Sequence, residues 1–447
     1  MAEAWFAGDR VLVDGALAPR AIRVQDGKIR QVVERAAVPA GAELIDAGSL
    51  VVLPGLVDSH VHINDPGRAE WEGFETATRA AIAGGVTTVL DMPLNSVPST
   101  VTLRGLSAKL RAMEGHAWCD VGLAGGLVPG NDPEITTLFR EGVLAFKCFL
   151  AESGVAEFSH VAEPELARGM RILHEAGATL LVHAELPPPL AAAEAEVREL
   201  DPRRYETYLR SRPMAAEEQA VELVLRLSTT LGARAHIVHL SAASALRLLS
   251  RARDAKAPLT AETCPHYLTF AAEDIPDGAT EYKCAPPIRG RENRDALWDG
   301  LREGLIAQVV TDHSPSDAAM KCSGSGDFMR AWGGISSLEL GLRAVFTEAR
   351  ERGLGLADVS RWMSAAPARL CGIDHKKGAI KAGLDADLVF FDDAAVLEVD
   401  AAKLQHRHKI TPYARRLLRG RVVRTILRGE TVYHEGTFTG PRGLWQR

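Results

Sequence analysis

The sequence predicts an α/β protein: a (β/α)8 TIM-type barrel carrying a small β-sandwich domain built from both chain termini. Two observations predict the barrel. Eight short, near-continuous apolar runs, each broken by a polar residue, lie between residue 51 and about residue 380, and amphipathic stretches of helical period separate them. A third predicts the smaller unit. Both ends of the 447-residue chain alternate apolar and polar positions as strands do, yet neither is long enough for a core of its own.

At the N-terminal end, "RVLVDG" and "AIRVQDGKIRQVV" are strand-like, with Asp26-Gly27 marking a tight hairpin. The barrel strands are expected at "VVLPGLVDSHVH", "TTVLDMP", "DVGLAGGL", "LAFKCFL", "TLLVHAE", "AHIVHLS", "LTAETCPHY" and "AQVVTDHS". Helices are expected at "GFETATRAAIAGG", stopped by Gly84-Gly85, and at "AEEQAVELVLRLSTTLG", closed by Gly232. Towards the C-terminal end, "DADLVFFD" and "GRVVRTILRGETVYHEG", with its Arg428-Gly429 turn, return to strand chemistry. The expected organisation is therefore residues 1–52 and 381–447 in the small domain and 53–380 in the barrel. An open doubly wound sheet is the competing architecture, but the first strand-to-helix turn lacks the G-x-G-x-x-G phosphate cradle. The segment "SPSDAAMKCSGSGD" reads as the loosest loop.

A formal charge of −6 with scattered Lys and Arg argues against nucleic acid as a partner. The six cysteines, without a C-x-x-C pair, fit free thiols in a reducing compartment, and no apolar stretch is long enough for a membrane. With no basic-then-apolar start, the expectation is a cytoplasmic protein.

In a barrel, chemistry collects at the C-terminal ends of the strands. There stand His60 and His62 after strand one, Lys147 inside strand four, His183 after five, His239 after six and Asp312 after eight. His60 and His62, one residue apart on a strand, face the same side. Fourteen histidines would produce about 0.4 such pairs by chance, so the pair gains weight only from its company. A second pair, His406 and His408, sits among Gln405, Arg407 and Lys409 and reads as solvated surface. Any one of the strand-end residues could be a packed histidine or a helix cap; together they match the imidazole–carboxylate set of a metal centre. Lys147, among Ala145, Phe146, Phe149 and Leu150, should be desolvated and thereby neutral and nucleophilic. It could form a Schiff base, or take up CO2 as a carbamate; the surrounding imidazoles favour a carbamate bridging two cations.

In this order, "GLVDSHVHINDPG", "DMPLNS", "FKCFL", "HAE", "HLS" and "TDHSP" resemble the cyclic amidohydrolases of the amidohydrolase superfamily. The resemblance implies two divalent metal ions per subunit, zinc first with cobalt or manganese as alternatives. It implies His60 and His62 on one ion, carboxylated Lys147 as the bridge, His183 and His239 on the other, and Asp312 as ligand and proton shuttle. Water activated between the ions would open a cyclic amide. Asp58 would orient the histidines from behind. Where dihydroorotases usually carry arginine the chain has Asn64, and "TDHSP" and "FKCFLAESG" differ from the hydantoinase and dihydropyrimidinase pattern. "HVHINDPGRAEWEGFETATRAA", "GVLAFKCFLAESGV", "KCAPPIR" and "FMRAWGGISSLELGL" look closest to the branch that opens allantoin to allantoate. That likeness implies a small cyclic ureide substrate touched by Asn95, Cys284 and Ser314, and a homotetramer. Hydantoin, dihydropyrimidine and dihydroorotate rings are the alternatives.

Overall fold

The computed structural model describes residues 3–447. Eight parallel strands follow one another around a single sheet: Leu56–Val61, Val86–Asp91, Asp120–Gly126, Ala145–Phe149, Leu180–His183, Ala235–Ile237, Leu259–Thr263 and Gln308–Val309. They are here called barrel strands one to eight. The ring closes between the first and the last, where Val61 bridges His313 in parallel and the His62 amide donates to the His313 carbonyl at 2.8 Å. Every residue of strands one to four is buried, which is why these segments read as continuous apolar runs rather than alternating ones. The expected helices form as Phe74–Ala83 before Gly84-Gly85 and Met214–Leu231 before Gly232.

Strands from both ends of the chain join one continuous nine-stranded sheet rather than two separately paired layers. Val51–Pro54 is the seam: it runs parallel to Glu3–Val13 on one side and antiparallel to Leu388–Glu398 on the other. The hairpin at Asp26-Gly27 and the one at Arg428-Gly429 both form, with all four residues at positive φ. Between seam and barrel lies Gly55, where a Cβ would stand 2.2 Å from Thr87 Oγ1 and 2.9 Å from Asp387 Cβ. Only glycine lets the chain pass there.

A buried ion cluster ties the terminal sheet to the barrel. Lys377 Nζ lies 2.6 Å from Asp120 of strand three, and 2.9 and 2.7 Å from Asp385 and Asp387 just before the sheet strand Leu388–Glu398; Arg428 also pairs with Asp120. Burial alone would lower the Lys377 pKa, but the carboxylates raise it above the ordinary lysine value. Its contribution is therefore complete below ~10.4 and fades only as pH climbs through the higher folded value. Lys377→Met, which leaves the carboxylates facing one another, should cost about 3–5 kcal/mol of stability. A urea melt reads this as a lowered midpoint.

Two expectations fail. His406 is fully buried, its ring 5.7 Å from that of His313, and burial drives its pKa down to about 3. The surface reading failed because the charged neighbours point outward while His406 plugs the barrel's flank beside Glu72. The loop at 314–327 is likewise pinned: Lys321 is buried, and its Nζ donates to the carbonyls of Lys283 and Trp332 at 3.0 Å each. Among the described residues no helix is long and apolar enough to cross a membrane.

Candidate metal centre

The side chains singled out at the strand ends converge. His60 Nε2 lies 3.3 Å from both Lys147 Nζ and Asp312 Oδ1, and His62 Nε2 is 3.4 Å from the same Asp312 oxygen. His183 Nδ1 meets His239 Nε2 at 3.0 Å, and the His60 and His239 ring centres are 5.4 Å apart. His239 and Asp312 both stand at positive φ, 39° and 44°, an uncommon backbone for residues with a Cβ and one that concentrates at functional sites.

These side chains are almost wholly buried, and that sets their protonation. Burial pushes the Lys147 ammonium down to about 8, because no carboxylate makes a close pair with it; its nearest partner is the His60 ring. Burial, reinforced by Lys147 and the neighbouring rings, holds His60 and His239 well below the ordinary imidazole value. For His183 burial outweighs the opposing pull of Glu185, and the shift is again downward. Neutral imidazoles are electron-pair donors, the state a cation requires.

Two carboxylates that were not anticipated fix which nitrogen offers its lone pair. His60 Nδ1–H donates to Glu262 Oε1 at 2.6 Å, leaving Nε2 free to face Lys147 and Asp312. His183 Nε2–H donates to Glu185 Oε2 at 2.7 Å, leaving Nδ1 free to face His239. Glu185 is held in turn by Arg212, and Glu262 by His236 at 3.0 Å and Gln308 at 2.9 Å. The signal for Glu262 was in plain view: a carboxylate inside the apolar run "LTAETC", as anomalous there as Lys147 is in its own strand. Glu185 was marked only by standing two residues beyond His183.

Asp58 takes a different role from the one expected. Its Oδ2 accepts from Thr311 Oγ1 at 2.6 Å and its Oδ1 from the His60 backbone amide at 3.2 Å. It fastens strand one to the backbone beside Asp312, and the imidazole is oriented by Glu262 instead. Burial pushes the Asp58 carboxyl up to about 7 against the pull of those hydrogen bonds.

Above the cluster opens a cavity of about 510 Å³, to which His62, Lys147, His183, His239 and Asp312 contribute. Of the three expected substrate contacts, Asn95 and Ser314 line it, and the Asn95 amide also meets His62 Nδ1 at 3.3 Å. Cys284 does not. It packs into the hydrophobic core while its neighbours Lys283 and Ala285 form the wall, and its carbonyl accepts from Tyr208 Oη at 2.7 Å.

Lone pairs from separate strands, aimed at one space by carboxylates behind them, fit a pair of divalent cations and have no comparable use in a purely structural core. Glu262→Gln keeps the shape but weakens the grip on His60. It should lower metal affinity about 10–100-fold, measured by competition with a chromophoric chelator.

The sequence profile of the Amidohydrolase family matches residues 51–432. A protein of Streptomyces avermitilis named allantoinase is 50% identical over 435 residues, spanning 97% of this chain and 96% of its own. The allantoinase of Saccharomyces cerevisiae is 44% identical, over 96% and 95%. Among solved structures, L-hydantoinase (dihydropyrimidinase) from Arthrobacter aurescens superposes with a TM-score of 0.94 at 30% identity, covering 100% of this chain and 99% of that one. Dihydropyrimidinase from Brevibacillus agri gives 0.91 at 26%, over 99% and 98%. With its barrel, its clustered donors and a match across most of its length, the chain belongs to the amidohydrolase family.

Proposed function

We propose that this chain hydrolyses the ring amide of allantoin, yielding allantoate, at a centre of two divalent cations held by His60, His62, Lys147, His183, His239 and Asp312. The observation that carries the reading is the convergence of these side chains under a cavity sized for a small polar ring. The choice of ring is supported by the names of the relatives at 50% and 44% identity. Zinc is the first candidate, with cobalt or manganese as alternatives, because imidazole and carboxylate accept all of them. Lys147 serves as its carbamate, an anion on a long arm.

When bound, such a pair supplies an activated water near neutral pH and polarises the carbonyl to be attacked. The chain does the rest. Asn95 and Ser314 offer polar groups to the ureide, and Phe149, stacked on His183 with centroids 4.6 Å apart, gives the cavity a dry wall. Asp312, only 7% exposed, takes the proton of the attacking water and returns it to the departing ring nitrogen. The C–N bond breaks, and the ring becomes a carboxylate and a free ureido N–H.

A panel of rings tests the reading. Allantoin should be consumed with one titratable acid per turnover, and hydantoin, dihydrouracil and dihydroorotate at rates lower by about 100-fold or more. A preference for dihydrouracil would overturn the choice of ring. The further expectation of a cytoplasmic homotetramer is supported by the free cysteines and by the family likeness; light scattering on the purified protein checks the subunit number.

A further inference from the structure

Barrel strand seven carries a second group of donors that the proposed chemistry leaves unused. Cys264, directly after the strand, and His266, in the short helix Pro265–Thr269, lie with Asp312 so that one ligand atom from each falls within 4.8 Å of the others. Cys264 and His266 are fully buried. Among the described residues neither ring nitrogen of His266 has a hydrogen-bond partner, a costly arrangement for an imidazole inside a protein and one that calls for an explanation. The ring is instead wedged edge-on against Tyr267, with centroids 4.3 Å apart. Thiolate, imidazole and carboxylate form a donor set softer than the one around Lys147, which contains no sulfur.

We propose that Cys264, His266 and Asp312 form a third cation site, selective for thiophilic divalent ions such as cadmium or excess zinc, which inhibits the enzyme by engaging Asp312. The Cys264 thiol gives up one proton to solvent as the sulfur–metal bond forms. Of the three, only Asp312 lines the cavity, so a cation would reach the buried Cys264 and His266 past this carboxylate. Asp312 Oδ1 already faces His60 and His62, so a cation drawing on this carboxylate competes with its proton-carrying role. That last step rests on the function proposed above; the binding site itself does not.

Cadmium is titrated into the zinc-loaded protein while the sulfur-to-cadmium charge-transfer absorption is followed in the ultraviolet. None of the six residues assigned to the metal pair bears sulfur, so the absorption reports a cysteine even if cadmium exchanges into the pair. It should saturate at one sulfur-bound cadmium per chain. Cys264→Ser should abolish it, and His266→Gln should weaken binding about tenfold or more, with melting temperatures confirming that both variants fold. Cys322→Ser, which changes the least buried cysteine, should leave it intact. Ring hydrolysis should fall in step with the absorption in the parent protein and resist cadmium in Cys264→Ser. Absence of the absorption in the parent, or its persistence in Cys264→Ser, overturns the site. Because the absorption needs no substrate, it is read whether or not allantoin proves to be the ring.

Discussion

Lys147→Ala should reduce ring hydrolysis by on the order of 10³-fold or more and should release bound metal, while leaving the barrel folded. The side chain is fully buried in a strand whose every residue is buried, so a plain ammonium there would be a desolvated charge without a carboxylate partner. Conversion to the proposed carbamate would remove that conflict, because the new anion would be matched by the cations of the proposed centre. The alanine variant leaves room for a small carboxylate, and acetate or propionate at high concentration should restore part of the activity. Only the neutral amine captures CO2, so the pKa of about 8 sets the pH dependence of assembly. From pH 6 to pH 8, at fixed dissolved CO2, the neutral fraction rises about 50-fold, and reactivation of metal-free protein should quicken accordingly. An alanine variant that keeps full turnover and metal content would show that Lys147 is only packing. A borohydride-trapped adduct with a carbonyl substrate would point instead to a Schiff base.

The barrel was legible because its signal is coarse. Eight apolar runs and their spacing survive any ambiguity about where each strand ends. The convergence of these side chains was legible for a related reason: charge and imidazole are anomalous at the ends of buried strands, and five different strand regions repeat the anomaly. What stayed hidden is whatever depends on which neighbour a side chain meets across the barrel. Asp58 and Glu262 are both buried carboxylates on strands, and only the three-dimensional register reveals that Glu262 reaches His60 while Asp58 reaches Thr311. Cys284 was misplaced because the facing of a loop side chain follows no period. His406 was misread because local polarity says nothing about the surface it folds against. The sheet that joins both chain ends was foreseen as a unit, but its pairing through Val51–Pro54 is a long-range fact that no local pattern encodes.

Asp312→Asn should lower kcat about 10²–10⁴-fold with little change in KM. The substitution suits this position unusually well. Asp312 sits at φ 44°, a region that asparagine and aspartate tolerate better than other side chains with a Cβ, so the variant keeps the backbone and the hydrogen-bonding outline and loses only the charge and the basicity. His60 and His62 both face Asp312 Oδ1, and with Lys147, His183 and His239 still in place most of the cation affinity should persist. The loss therefore falls on proton transfer, and its signature is selective. Cyclic amides whose departing nitrogen is a better leaving group need less protonation, and they should lose less rate in the variant than allantoin does. If every ring slows by the same factor, and added metal restores the rate, Asp312 is a ligand alone and the proton travels by another route.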